Sequence, residues 1–288
     1  MSLEYRSEFR IVTGQSVRLA DRAPAYTGHD LRREDSENVK RAAVEQIDRL
    51  QYLLYAAAES SLLIVLQGMD AAGKDGVIRH LFTGLNPQGT RVHSFKQPTQ
   101  VELAHDFLWR VHAQVPAQGE VAIFNRSHYE DVLVARVHRL APEAKLTSRF
   151  DAINRFEHLL AENGTRILKF FLHISPQEQL ERFRKRIEDP LRNWKISESD
   201  YSERENWPEY VKAYEDVLER TSTEWGPWFV IPSNHKWFRD LAISKIIAEE
   251  MESLQLHIPP PRVDLDDIRR KYHQTVNEER SIERETGL

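Results

Sequence analysis

Between Val65 and Gly76 the chain reads VLQGMDAAGKDG, and Gly68, Gly73 and Lys74 fall at the glycine and lysine positions of the phosphate-binding pattern G-x-x-x-x-G-K-[ST]. A glycine-rich turn that runs into a helix aims backbone N–H groups at an anion. Here these are the amides from Gly68 to Gly73, Ala71 and Ala72 included, and Lys74 adds a point charge for the same phosphates. The pattern breaks at its last position, where Asp75 replaces the hydroxyl that ordinarily holds magnesium, and Asp70 sets a second carboxylate inside the loop. Carboxylates beside bound phosphates repel them unless a divalent cation lies between, so Asp70 is a candidate magnesium ligand and Asp75 a weaker one. Asp75 also suits the first turn of a helix, where the dipole favours negative charge.

Two further stretches gather polar residues. In AIFNRSHYEDV (Ala122–Val132) an apolar run ends in Asn125 and Arg126, and two carboxylates follow, Glu130 and Asp131. The carboxyl end of a strand in a parallel sheet is where ligands bind, and phosphate-loop enzymes commonly hold magnesium there through an Asp. With Asn125 at that place, the metal-binding carboxylate is expected on the following helix, and Asp131 is taken with Asp70 as the metal pair. Both acids also fit an ordinary acidic first helical turn. Arg126 is read as a phosphate contact. In SPQEQLERFRKRIEDPLRNWKIS (Ser175–Ser197), helical spacing puts Leu180, Phe183 and Ile187 on one side and Arg182, Lys185 and Arg186 on the other. This basic comb is expected to face away from the core as an arginine-bearing lid whose Arg182, Lys185 and Arg186 grip phosphates, with Pro190 ending the helix and Trp194 offering a surface for a base. Lys96, after the second apolar run, points to the same sheet edge. The histidines lack spacing such as H-E-x-x-H, which argues against zinc.

The elements that must position these residues follow from the apolar pattern. Short runs at Ser61–Gln67, Arg91–Phe95, Glu120–Asn125, Arg166–Ile174 and Trp228–Ser233 alternate with helical segments near 74–84, 100–113, 127–138, 146–163 and 175–222. RVHSF (Arg91–Phe95) is the weakest of them. That wiring requires parallel strands with helices on both faces, so an α/β fold is expected: three layers, α/β/α, with about five parallel strands and a helical lid at about 175–200. Residues 1–60 read as an N-terminal extension and a packing helix over 33–58, whose stripe is Val39, Ala43, Ile47, Leu50 and Leu54. Residues 61–255 form the core and close with a helix over 237–254. Pro259, Pro260 and Pro261 precede a charged tail, 256–288, expected to fray.

The chain has 288 residues, no cysteine and a formal net charge of −5. The missing cysteines exclude a disulfide framework and suit a reducing cytosol. No secretory or membrane-spanning run is visible, so a cytoplasmic, membrane-free protein is expected. The net charge argues against a general grip on nucleic acid.

GMDAAGKDG, FNRSHYEDV and ERFRKRIEDPLRNWK, in that order and spacing, resemble the Walker A, Walker B and lid modules of the family-2 polyphosphate kinases, over about residues 30–255. The resemblance implies a P-loop kinase fold and reversible phosphoryl transfer between inorganic polyphosphate and a nucleotide. It also implies magnesium, with manganese as a substitute, and a homo-oligomer, dimer or tetramer. By this similarity Asp70, Lys74, Arg126 and Arg186 match phosphate- or metal-handling positions, with Asn125, Arg126, Glu130 and Arg186 toward the nucleotide. Many members carry Asp-Arg-Ser where this chain has Asn125-Arg126-Ser127, and the departure, followed by Glu130, resembles the subclass that uses both nucleoside mono- and diphosphates. Two other readings fit the loop: an ATP-dependent nucleoside or nucleotide kinase, and a nucleotide-binding regulatory switch.

Overall fold

A computed structural model describes residues 4–28 and 31–286. Its elements run α1 (Tyr5–Phe9), α2 (Arg33–Ala57), β1 (Ser61–Gln67), α3 (Lys74–Leu81), β2 (Thr90–Ser94), α4 (Gln100–Leu103), α5 (Trp109–His112) and β3 (Val121–Asn125). There follow α6 (Glu130–Val137), α7 (Glu143–Glu162), β4 (Thr165–His173), α8 (Pro176–Glu188), α9 (Glu198–Glu205), α10 (Trp207–Thr221), β5 (Trp228–Pro232), α11 (Lys236–Glu252) and α12 (Leu265–Thr286).

The five strands form one sheet in the order β2-β3-β1-β4-β5, with every pair parallel. Period-two alternation divides the strand residues between two cores. Leu62, Ile64 and Leu66 of β1 pack toward α2, α3 and α11, whereas Leu63 and Val65 face α6, α7 and α10. The result is the expected three-layer α/β arrangement. β1 is central and buried along its whole length, so its carboxyl end sits mid-sheet, beside the ends of β3 and β4. RVHSF reads weakly because β2 is an edge strand with exposed Arg91 and Val92.

Several boundaries differ from expectation for local reasons. The helix expected over 100–113 is two short helices, because the Asp106 carboxylate accepts from the Leu108 amide (2.9 Å) in a turn. The charged region 175–222 divides at Pro190, at the Ser197–Asp200 capping box and at Pro208. The buried line of α2 is Ser36, Ala43, Ile47, Gln51 and Leu54, and Val39 faces solvent.

The first residues are more than an appendage. Arg10 makes an antiparallel bridge to Phe229, and the Ile11 amide donates to the Trp228 carbonyl (2.8 Å), which covers the β5 edge. Phe9 packs edge-on against Phe238 and Tyr26.

Residues up to Leu256 form one compact unit and those from His257 a second. The second unit contains the helix α12 where fraying was expected. Paired charges one turn apart, Asp266–Arg269, Asp267–Arg270 and Asp267–Lys271, support it. No helix among the described residues is long and apolar enough to cross a membrane.

Replacing Phe9 by Ala should lower unfolding free energy by about 3–5 kcal/mol, since a large side chain 3% exposed leaves a cavity between rings. Urea denaturation with an unchanged m-value would show it. A loss below about 1 kcal/mol would mean the segment is only loosely seated.

Candidate active site

The phosphate loop leaves β1 at the carboxyl edge of the sheet. Gly68 takes φ +153°, and a β-carbon there would meet the Leu172 carbonyl oxygen at 2.9 Å. Gly73 takes φ +108°, and its missing side chain leaves the space that the Arg239 guanidinium fills. Ala71, between them, is held at φ +62°, a conformation costing an L-residue about 1–3 kcal/mol. Lys74 folds over the loop and donates to the Gly68 carbonyl (2.7 Å). Of the loop amides expected to meet phosphate, that of Ala72 instead donates to the Met69 carbonyl (3.0 Å), closing the turn ahead of α3.

Arg126 follows the last residue of β3 with φ +63°, a second strained position beside the first. This turn throws its side chain toward the loop, where it donates to Asp70 Oδ1 (2.8 Å) and lies 3.4 Å from Glu130 Oε2. Lys74, Arg126, Asp70 and Glu130 thus form one cluster. Burial pushes the Glu130 carboxyl up, against the pull of Arg126 and Lys74.

Asp131 stands elsewhere, which corrects its expected pairing with Asp70. One residue further on a helix is about 100° round the axis. Its carboxylate lies 3.8 Å from Arg110, itself tied to the Lys96 carbonyl, and Arg149 donates to its backbone oxygen (2.6 Å). The carboxylate that reaches the loop cluster is Glu130. Among the described residues no group of three or more His, Cys, Asp or Glu forms a metal cage. A donor pair of Asp70 and Glu130 nevertheless fits magnesium, which commonly takes one or two carboxylates and fills its shell with phosphate oxygens and water.

The basic comb of α8 is also corrected. Gln179, Arg182 and Phe183 are buried, while Leu180 and Ile187 are exposed. Arg182 donates to the carbonyls of Ala71 (2.8 Å), Ala72 (2.7 Å) and Ser233 (2.5 Å) and pairs with Glu178 (2.7 Å). Its charge is spent on the loop's backbone rather than offered to a substrate. Lys185 is exposed and paired with Glu181 (3.0 Å). Arg186 donates to the Lys195 carbonyl (3.3 Å) and lies 5.8 Å from the Phe183 ring centre. Lys96 is exposed at the end of β2, and Trp194 lies 74% exposed. At the end of β3, Asn125 donates to Asp75 (3.0 Å).

The protein-family model for polyphosphate kinase 2 matches residues 30–258. The chain belongs to the polyphosphate kinase 2 family. An AMP/ADP-polyphosphate phosphotransferase from Meiothermus ruber is 48% identical over 239 residues, 81% of this chain and 90% of that protein. An ADP-polyphosphate phosphotransferase from Rhodopseudomonas palustris is 44% identical over 264 residues, 88% and 91% of the two chains. The crystal structure of polyphosphate kinase 2 from Arthrobacter aurescens TC1 superposes with a TM-score of 0.90 at 39% identity, covering 94% of this chain and 97% of that one.

Within this polyphosphate kinase 2 fold, several residues at the site carry no legible signal in the sequence. Arg239 arrives from α11 to pack on Gly73, and Gln179 donates to the Asp70 carbonyl (2.9 Å). Glu203, Arg204, Trp207 and Tyr210 of α9 and α10 close over Asp70, Arg126 and Glu130, leaving a cleft of about 40 Å³. Gly68, Met69, Gln179 and Tyr214 complete its lining. A larger hollow of about 460 Å³ is lined by Gln51, Tyr52 and Tyr55 of α2 with Asn86 and Gly89, and it shares no residue with the phosphate loop. Behind the site, Lys169 donates to Glu157 (2.5 Å), Tyr129 (2.9 Å) and the Thr221 carbonyl (2.7 Å), a fully buried network that seats the residue preceding Glu130.

Burial, with Arg126 adding to it, lowers the Lys74 ammonium to about 8. The unfolded chain holds this proton to about pH 10.4, so stability rises with pH between the two values. A phosphate grip by Lys74 would run the other way, because it needs the charged form. In the free enzyme kcat/KM for a phosphate donor should therefore fall as pH rises through about 8, while kcat, measured with a polyanion bound, persists to higher pH. A kcat/KM flat to pH 9.5 would contradict the assignment. Lys74→Ala should cost about 10²–10³ in kcat.

Proposed function

We propose that this chain transfers the terminal phosphoryl group of inorganic polyphosphate to AMP or ADP, giving ADP or ATP, with magnesium as the metal. The observation that carries the reading is the cluster at the loop: Lys74 and Arg126 for phosphates, with Asp70 and Glu130 between and beside them. The acceptor is a phosphate oxygen, already ionised near neutral pH, so no general base is required, and alignment with charge neutralisation suffices. Of the histidines near the site, His128 is wholly buried and lies 3.1 Å from Glu157, and His138 pairs with Glu203 (3.1 Å).

Asp70 and Glu130 are the residues that would hold magnesium, whose charge offsets that of the phosphates when bound. Lys74 and the loop amides orient the terminal phosphoryl group, and Arg126 neutralises the oxygens that gain charge. An acceptor oxygen forms its bond to the terminal phosphorus as the bond to the chain's bridging oxygen breaks. That oxygen becomes the new terminus of a chain one unit shorter. Because one phosphoanhydride replaces another, concentrations set the direction.

Use of both AMP and ADP is supported by the name of the Meiothermus ruber relative and by Asn125 and Glu130 at the strand end. The ADP-only alternative is favoured by the name of the Rhodopseudomonas palustris relative. Purified protein given magnesium and long-chain polyphosphate should make ATP from ADP and ADP from AMP alone. No product with either acceptor overturns the reading, and product from ADP only selects the alternative. Glu130→Gln should raise the magnesium concentration for half-maximal rate and lower kcat by about 10²-fold or more, whereas Asp131→Asn should keep its magnesium dependence. The reverse pattern would restore Asp131 as the ligand.

A further inference from the structure

Asp75, the weaker of the two metal-ligand candidates in the loop, has both carboxylate oxygens engaged by other protein groups. The helix dipole would account for an acid at this position, but not for where its two oxygens go. Oδ1 accepts from Asn125 at the end of β3 (3.0 Å), and Oδ2 lies 3.4 Å from Lys195 Nζ. Lys195 belongs to the short turn after α8, and its own carbonyl accepts from Arg186 (3.3 Å). Other contacts of this turn are local, such as Arg192 with Asp189 and the Lys195 ammonium 5.0 Å from the Trp194 ring centre.

We propose that Asp75 is a positioning residue that docks the turn Pro190–Ile196 of the lid onto the phosphate loop, with Asn125 orienting its carboxylate and Lys195 as the lid's contact. One side chain thereby joins the loop helix, the end of β3 and the lid. α8 itself needs no such contact, since Arg182 and Gln179 already fasten its buried face to the loop. The turn beyond Pro190 lacks that hold, and its contact with the loop helix is the Asp75–Lys195 pair.

Two features fit this role. The pair is weak by construction: Asp75 is 65% exposed and Lys195 28%, and such pairs shift an equilibrium only a few-fold, as suits a contact broken at every turnover. Asn125 also makes the arrangement possible without a cation, because a carboxylate at 125 would face Asp75 at hydrogen-bond distance and one of the two would need a proton or metal. Although burial raises it, the Asp75 carboxyl is held below its usual range by the Asn125 hydrogen bond and by Lys195.

The docking contact is tested in the full chain without substrates, so its outcome does not depend on the proposed reaction. Chymotrypsin can cut after Leu191 and Trp194, both exposed in the turn. Asp75→Asn keeps shape and an Asn125 contact but loses the charge. It should speed cleavage there about 2–5-fold; Lys195→Ala should do the same, and the double variant no more than either. Unchanged cleavage in either single variant, or effects that multiply in the double, would overturn the proposal. Where polyphosphate-dependent transfer is observed, the variants should raise KM a few-fold with kcat kept. A fall in kcat at constant KM would place Asp75 in the chemistry instead. Failure of transfer in the unaltered protein would sink the proposed function and leave the cleavage result standing.

Discussion

The buried guanidinium of Arg182 is the interaction on which the site depends. The loop from Gly68 to Gly73 contains a strained alanine, and while its Met69 carbonyl accepts from the Ala72 amide (3.0 Å), the carbonyls of Ala71 and Ala72 find no such partner within the loop. Those carbonyls need donors inside the protein, and a planar guanidinium offers several in fixed directions. Arg182 supplies them to Ala71 and Ala72 and extends to Ser233 beyond β5, so the loop is tied to two other parts of the fold at once. Glu178 compensates its charge. Strain of this kind persists only where the surroundings over-determine the backbone. A lysine, with a rotatable point charge, would not span these acceptors.

The charges around the loop divide by what they face. Arg182 and Arg239 are spent on backbone and on Asp240, whereas Arg126 lines the cleft and Lys74 folds over the loop beside it. In the free protein the second pair is satisfied internally, Lys74 by the loop's own carbonyls and Arg126 by two carboxylates. A phosphate entering here therefore exchanges partners with groups already paired, which lowers the cost of keeping two cations close together while the cleft is empty.

Much of the architecture was legible in the sequence because buried parallel strands read as continuous apolar runs, and β1, β3, β4 and β5 are of that kind. The loop was legible because few sequences place two glycines and a lysine so between a strand and a helix. The phase of helices was not. In α8 the apolar residues suggested which side to bury, yet the loop's carbonyls demanded Arg182 and Gln179 on that side and left Leu180 and Ile187 to solvent. Nothing local to the helix records such a demand, since it arises from backbone more than a hundred residues away.

The choice between Glu130 and Asp131 is a phase problem of the same kind, and its solution lies below the site. Tyr129 precedes α6 and is fixed by Lys169 and Glu157, all three fully buried. Burial works against charge on both partners of the ion pair and each favours the charged form of the other, so the Glu157 carboxyl is held below its usual range while burial still lowers the Lys169 ammonium. An apolar trio could fill the same volume, but it would not tell one rotation of the following helix from the next. A hydroxyl with two directed partners does, since turning the helix would break both of the Tyr129 hydrogen bonds and leave a buried hydroxyl unpaired. The network costs desolvation and gives orientation: Glu130 reaches Arg126, and Asp131 turns to Arg110. In this fold the identity of the carboxylate at the loop is thus decided by hydrogen bonds that never meet a substrate.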